Sequence, residues 1–568
     1  MAYFTTDKSS QVAASPVAQA YVDILYDYHV FLSTYNGLLG PVGSMAGKTV
    51  GVVGAGAAGM SAAYLLAQQG AVVTVFEATN RVGGRVDSFH PITTDDAIFE
   101  MGAMRVPPSE RVFAYFANKF GVKPGGQFPD PGKVDTNIIF QNKLYTWPKN
   151  GNAPSIFSNV KNGWEALAGE WMINVGNHLV SSSGYSTAKT NWQNYINPPD
   201  SANAHKGYSN ISFYQGLVQA FVENAKHYGV TPWSQKDFAL FGALGLGSGG
   251  FGPLYEVNFA EIARLVVNGL ESDQQFYPDG LQKLITGFND GITSSPGCQI
   301  LPNCTVVGIT PKGTSNGPAQ ITYRPNMQTP VTKKFDAVIV ATTTRSMQID
   351  MSLTDPVYTA PMLSDREATG IRKMHLMNSS KLFVLTNTKF WLKHGLPANI
   401  QTDGLVRGLY CLDYPGTSYG VVLISYTWGD DSTKYISIKD PQKRLNLLLN
   451  SLEPYVPKFT SALLADLKAS YTKMVDWQDE PHYYGAFKLN YPGQDVRNKD
   501  LYFQFQNKNN HGVYLAGDSI GWCGGWIEGA LQTGVNAASG VVNQLTGGSG
   551  LHPNSPYTQS QNLYDYGP

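Results

Sequence analysis

The feature that most constrains this chain is Gly54-Ala-Gly56-Ala-Ala-Gly59, set between two short apolar runs. GxGxxG alone is a weak signal. Here it follows Lys48-Thr-Val-Gly-Val-Val53 and opens a helix-forming stretch from Ala57 to Gln69, which Gly70 suits as a cap. Glu77 answers it at the end of Val72-Val-Thr-Val-Phe-Glu77. Strand, glycine turn, helix and acidic strand end together predict a βαβ unit that begins a parallel sheet, and with it an α/β fold built on a Rossmann-like nucleotide site. Gly54 permits the tight turn and Gly56 a close phosphate approach. Gly59 lets helix and strand pack, and Glu77 accepts from ribose hydroxyls. Ala57 and Ala58 begin the helix whose N-terminus favours an anion.

A second glycine turn, Arg81-Val-Gly83-Gly84-Arg85, follows Glu77 and Ala78 closely. Its guanidiniums can reach the same pyrophosphate with fork-like hydrogen bonds, or simply belong to a charged surface loop. Far downstream, Gly512-Val-Tyr-Leu-Ala516 reads as a strand leading into Gly517-Asp518, and Ile527 to Gln544 reads as a long helix. Asp518 suits a ribityl hydroxyl, and a helix starting near Trp526 turns its positive end toward a flavin's N1–C2=O. A cofactor held from both ends of the chain suits bound FAD better than an exchangeable nicotinamide.

Charge adds exclusions. With 41 Lys+Arg against 42 Asp+Glu the net charge is −1, which leaves no electrostatic footprint for nucleic acid or anionic membrane. Four cysteines (298, 304, 411, 523) in no CxxC spacing, with scattered histidines and no HExxH, argue against a disulfide framework or a metal. Met1 to Ser15 does not read as a signal peptide, and apolar runs stay near eight residues, far short of the ~20 that span a bilayer. A soluble cytoplasmic protein is the expectation. Other elements expected are a helix over Val17 to Tyr35, helical segments Trp164–Val175 and Phe213–His227, a flexible break at Gly245–Gly252, and a mobile tail after Gly547. Strands are expected around 305–309, 337–341, 381–385 and 421–426.

These blocks, with Phe99-Glu-Met-Gly-Ala-Met-Arg105-Val-Pro, Ser379-Ser-Lys381-Leu-Phe, Ile424-Ser-Tyr426-Thr-Trp-Gly-Asp-Asp431 and Leu515-Ala-Gly-Asp-Ser-Ile-Gly-Trp-Cys-Gly-Gly-Trp-Ile-Glu-Gly-Ala530, resemble the flavin-containing amine oxidoreductases. The branch is that of L-amino acid oxidases and of tryptophan and phenylalanine 2-monooxygenases. The likeness runs from about Asp27 to Gln544, and the arm Asp27–Gly40 looks more like the monooxygenases. It implies a glutathione-reductase-like FAD domain, a mixed-sheet substrate domain and a helical insertion. The expected order is an arm (1–45), FAD segments (46–104, 298–345, 511–546), substrate segments (105–165, 346–510), an insertion (166–250), a connector (251–297) and the tail (547–568). It also implies that Val306 meets adenine, that Gly102, Ala103 and Met104 lie along the flavin, and that FAD is non-covalent, since Tyr484-Gly-Ala-Phe487 lacks the cysteine that holds flavin in monoamine oxidases.

The resemblance assigns the chemistry residue by residue. Arg105 matches the arginine that grips the substrate carboxylate, a task that suits a planar two-pronged cation; a structural ion pair is its plainer role. Tyr426 gives that carboxylate a second bond, unless it is ordinary core. Lys381, a lysine inside an apolar strand, matches the residue that holds a water near flavin N5, where desolvation lowers its pKa; snorkelling at a strand edge is the alternative. Gly525 and Trp526 match a turn whose glycine carbonyl accepts from the substrate amine, with Ile527 beginning the helix. Cys523-Gly524 replaces a pair that often includes His, so no side-chain base stands there. Trp477 walls the site, and Phe487 and Tyr484 are candidates for the side-chain pocket. The function implied is an FAD-dependent L-amino acid oxidase making a 2-oxo acid, ammonia and hydrogen peroxide from an L-amino acid and O2, in a homodimer or larger homo-oligomer. The alternative is a 2-monooxygenase, or a mixed enzyme, giving an amide. A monoamine oxidase is disfavoured by Arg105, and a silent flavin-binding protein by the complete constellation. Aromatic or hydrophobic substrates are favoured over basic ones, unless a buried acid from the insertion selects lysine or arginine.

Overall fold

The computed structural model describes residues 17–199, 206–244, 250–312, 318–354 and 362–558. Its nucleotide half is a five-stranded parallel sheet in the order 513–515, 337–340, 49–53, 72–76, 299–301. Thr49–Val53 sits centrally because Val50 to Val53 are buried, as a parallel strand covered on both faces requires. Helix Ala57–Gln68 crosses from it to Val72–Phe76, and Gly70 at φ +92° ends the turn between them. The last long helix, Ile527–Thr546, packs on this one. A three-stranded antiparallel sheet (304–310, 319–325, 331–335) covers the sheet, with Ile321 and Phe335 in the core.

The second half is a mixed seven-stranded sheet in the order 467–476, 379–386, 420–428, 408–412, 399–402, 136–140, 143–147. Its central strand Ser379–Thr386 is buried throughout and serves two cores. Leu382 and Val384 pack with the helices Pro441–Leu452 and Pro457–Asp466 side, while Phe383 and Leu385 join Phe99, Met101 and Met104 on the side facing the nucleotide half. That alternation is the period-two reading of the sequence, and it places Lys381 at the junction of the halves. Helices Ser158–Asn174, Tyr185–Ile196, Phe213–Val218, Gln235–Ala243 and Phe259–Val267 form a third layer around Trp164, Trp171, Phe213 and Phe241.

Three expectations change. The arm is not one helix over Val17–Tyr35: only Tyr28–Thr34 is helical, because Leu25 turns left-handed (φ +46°) and Asp27 caps the new helix by accepting from Val30 N at 3.0 Å. The Phe213 helix passes into a π turn at Gln219–Glu223 and stops before His227. Residues 547–558, expected in a mobile tail, are tied to the arm, with Tyr26 Oη donating to Asn554 O at 2.7 Å and His552 N to Leu39 O at 2.7 Å. Of the expected break at Gly245–Gly252, residues 245–249 lie outside the described residues. Among the described residues no helix is long and apolar enough to cross a membrane.

Candidate active site

One elongated cavity runs from the glycine fingerprint to the buried face of the seven-stranded sheet. At its nucleotide end, the two glycine turns meet: Gly83 N donates to Ala55 O at 2.8 Å, and Gly56 pairs with Gly83. Helix Ala57–Gln68 begins at Gly56 with no side-chain cap, so its first N–H groups face the cavity that Gly56, Ala57 and Ala58 line. Gly54 holds φ +97°, and a methyl on Gly59 would overlap the Gly54 carbonyl oxygen, so both glycines are sterically required. Glu77 accepts from Ala55 N at 2.9 Å and from Thr79 N and Oγ1 at 2.8 Å, which locks the acidic strand end against the turn. Ala78 and Val306 line the wall beside it. This cradle fits a dinucleotide.

Further along, Gly84, Arg85, Gly102, Ala103, Met104, Gly517, Asp518, Trp526 and Ile527 line the middle. Arg85 and Asp518 are joined at 2.6 Å, and Arg85 also donates to Ala486 O at 2.6 Å. The two turns that hold the middle of the cavity are thereby clamped to each other. Arg81 is not brought in; its guanidinium folds back on Gly84 O (2.6 Å) and Asp87 (3.3 Å). The last helix begins at Trp526 without a side-chain cap, but Glu528 N donates to Glu110 Oε2 at 2.9 Å while the Glu528 carboxylate accepts from Val112 N and Phe113 N. This exchange of carboxylates between two helix starts was not legible, because 418 residues separate the partners.

At the far end stand Arg105, Lys381, Tyr426, Trp477, Phe487 and Gly525. Lys381 and Tyr426 are opposite one another on neighbouring strands, and the ammonium sits 4.8 Å from the ring centre. Lys381 Nζ donates to Glu100 O at 3.0 Å and to Gly102 O. Burial lowers its pKa to about 7 against the pull of Glu100. Burial likewise raises Tyr426. Arg105 meets Asp130 at 3.4 Å and lies over Phe128 at 5.4 Å, so the ion pair and the cavity position coexist. Trp477 is fixed by donating to Met101 O at 3.1 Å. Gly525 holds φ +84°. Tyr484 turns away to Asp350 at 2.8 Å and is not on the cavity wall. Two residues went unsuspected. Trp428 packs edge-on against Tyr426 and Phe487 (5.4 and 5.7 Å), and its strand position two after Tyr426 is the period-two signal that would have found it. Glu271, from the loop after helix Phe259–Val267, has no local motif.

The profile of flavin-containing amine oxidoreductases matches residues 57–542. The chain belongs to that family. Its cofactor is FAD, which the cradle fits. Among curated relatives, a tryptophan 2-monooxygenase of Pseudomonas savastanoi is 39% identical over 93% of this chain and 95% of its own. One of Pantoea agglomerans pv. gypsophilae is 38% identical over 96% and 98%. An L-amino-acid oxidase of Siganus canaliculatus is more distant, at 25% over 88% and 86%. Cyclohexylamine oxidase from Brevibacterium oxydans IH-35A shares the fold at a TM-score of 0.63 and 17% identity, covering 88% of this chain and 99% of that one. The order of likeness reverses the expectation from sequence: the monooxygenase alternative is favoured over the deaminating oxidase.

Proposed function

We propose that this member of the family is an amino acid 2-monooxygenase acting on an aromatic L-amino acid of tryptophan's size. The observation that carries the reading is the near end-to-end likeness to tryptophan 2-monooxygenases. The site supports it. Arg105, buried on the cavity wall and stacked on Phe128, is a two-pronged partner for a carboxylate, which simple amines lack. Trp428, Phe487, Trp526 and Trp477 give the adjoining wall large flat apolar faces that suit an indole. The overall reaction balances as amino acid plus O2 giving the amide one carbon shorter, CO2 and water. When bound, FAD supplies the two-electron acceptor and the reaction with O2. The chain's own residues do the rest. Arg105 and Tyr426 orient the carboxylate, and the Gly525 turn faces the amine. Lys381, with its proton off above about pH 7, is the group able to hold a proton between the Glu100 and Gly102 carbonyls and the substrate. We assign a homodimer or larger homo-oligomer as the assembly by analogy with the family.

Anaerobic mixing of the yellow holoenzyme with single amino acids tests the substrate. L-tryptophan should bleach the flavin fastest, L-phenylalanine more slowly, and tryptamine, which lacks the carboxylate, hardly at all. Equal bleaching by tryptophan and tryptamine would remove Arg105 from the proposed role.

A further inference from the structure

Arg105 does not face the substrate end of the cavity with a free charge. Asp130 is at 3.4 Å, and Glu271 lines the same wall, its carboxyl coupled to both Arg105 and Asp130. All three side chains are buried. The loop that carries Glu271 is pinned from several sides. Asn268 Oδ1 accepts from Val22 N of the arm at 3.0 Å, and Ser109 Oγ donates to Gly269 O at 2.9 Å. Gly269 turns left-handed at φ +68°. Gln274 Nε2 donates to Glu271 Oε2 at 3.1 Å and to Leu270 O at 3.2 Å, which fixes the carboxyl from behind. Glu271 is therefore held at the wall and has little freedom to swing away when a ligand arrives.

The charge count is the difficulty. One guanidinium already serves two protein carboxyls, and a substrate brings a third. Two anionic protein carboxylates and an anionic ligand around Arg105 leave net negative charge in a desolvated space once Lys381, the buried cation at the same end of the cavity, loses its proton near pH 7, and proteins avoid this by neutralising a carboxyl. Asp130 pairs with Arg105 at 3.4 Å. Glu271 keeps an amide donor that either protonation state satisfies, and its burial favours the neutral carboxyl.

We infer that Glu271 takes up a proton from solvent when Arg105 engages a ligand carboxylate, so that carboxylate binding at this site is proton-linked. The inference rests on the aromatic amino acid reading above. Burial already places Glu271 at about 7, against the lowering effect of Arg105 and with the raising effect of Asp130, and Tyr426 also senses it. A ligand carboxylate that shares Arg105 weakens that lowering effect and raises Glu271 further. The sign follows: protonated Glu271 favours binding, so affinity for anionic ligands falls as pH rises above about 7.

The test uses the FAD-loaded full chain and two ligands it cannot oxidise at Cα, read by perturbation of the flavin spectrum. Indole-3-acetate carries the carboxylate; indole-3-acetamide is its neutral match. From pH 6 to pH 8.5 the acetate should weaken by about fivefold or more, since binding raises Glu271 above its value of about 7. The acetamide should change less than twofold. In Glu271→Gln, which keeps the shape and the Gln274 bond, acetate affinity should match the wild type at pH 6 and lose most of its pH dependence, with only the smaller share due to Lys381 left, and Glu271→Gln combined with Lys381→Met should be flat. Flat acetate binding in the wild type, or a fall as steep in Glu271→Gln as in the wild type, overturns the inference. Binding of neither indole ligand at any pH overturns the substrate reading, and the inference with it. Acetate binding that weakens equally for the acetamide assigns the pH effect to a general change in the site and also overturns it.

Discussion

Two side chains carry most of the chemistry, and each makes a distinct prediction. Replacing Arg105 by Ala removes the carboxylate's partner and strands Asp130 and Glu271 as buried carboxyls. Loss of a buried charge-assisted contact of this kind costs about 3 kcal/mol or more, so kcat/KM for L-tryptophan should fall by roughly two orders of magnitude, with little change for tryptamine. Steady-state kinetics on both substrates checks this; an equal loss on both would mean that the variant has merely damaged the fold. Lys381→Met should lower kcat by about 100-fold, the usual scale for a positioned proton acceptor, while leaving indole-3-acetate affinity within a few-fold. The wild-type rate should rise with pH through about 7, since Lys381 is depressed by burial and is charged below that value. Persistence of that rise in Lys381→Met would assign it to another group.

At the scale of elements, the nucleotide cradle depends on close backbone contact where helix Ala57–Gln68 leaves its strand. Gly59→Ala forces a methyl into the Gly54 carbonyl, and overpacking of this kind costs about 1–3 kcal/mol. FAD release on dilution should become measurable, and the melting temperature of the holoenzyme should fall; a fully retained flavin would contradict the packing. This half of the molecule was readable in sequence because its signals are local: glycines at fixed spacing, strands beside them, and Glu77 one strand later. Lys381 was readable for the same reason, as a charge inside an apolar strand. The arm and Arg81 were not. A run of apolar residues at helical spacing does not reveal that Leu25 turns left-handed, and a guanidinium flanking a glycine turn does not reveal that it will satisfy that turn's own carbonyl. Glu271 and the Glu110–Glu528 exchange were hidden because they join segments far apart in the chain.

The whole molecule is tied by a buried charge network beneath the active site. Arg264 of the helical layer meets Asp23 of the arm at 2.6 Å, Glu261 at 3.3 Å and Asp495 at 3.2 Å, and stacks over Trp522 at 5.3 Å. Glu261 in turn meets Lys488 at 3.1 Å, and Lys488 Nζ donates to Gly521 O in the turn that leads to Gly525. Arm, helical layer and substrate half thus converge behind the cofactor cavity. Arg264→Leu strips this guanidinium from three buried carboxylates, of which Glu261 keeps its pair with Lys488; the cost should be about 3–5 kcal/mol, read as a drop in the thermal unfolding midpoint. An unchanged midpoint would deny the network its structural weight. The central claim concerns the reaction that this assembly performs, and product analysis under air tests it most directly. Holoenzyme with L-tryptophan should yield indole-3-acetamide and CO2 in amounts that match the tryptophan consumed. Stoichiometric ammonia, hydrogen peroxide and the 2-oxo acid in place of the amide would contradict it.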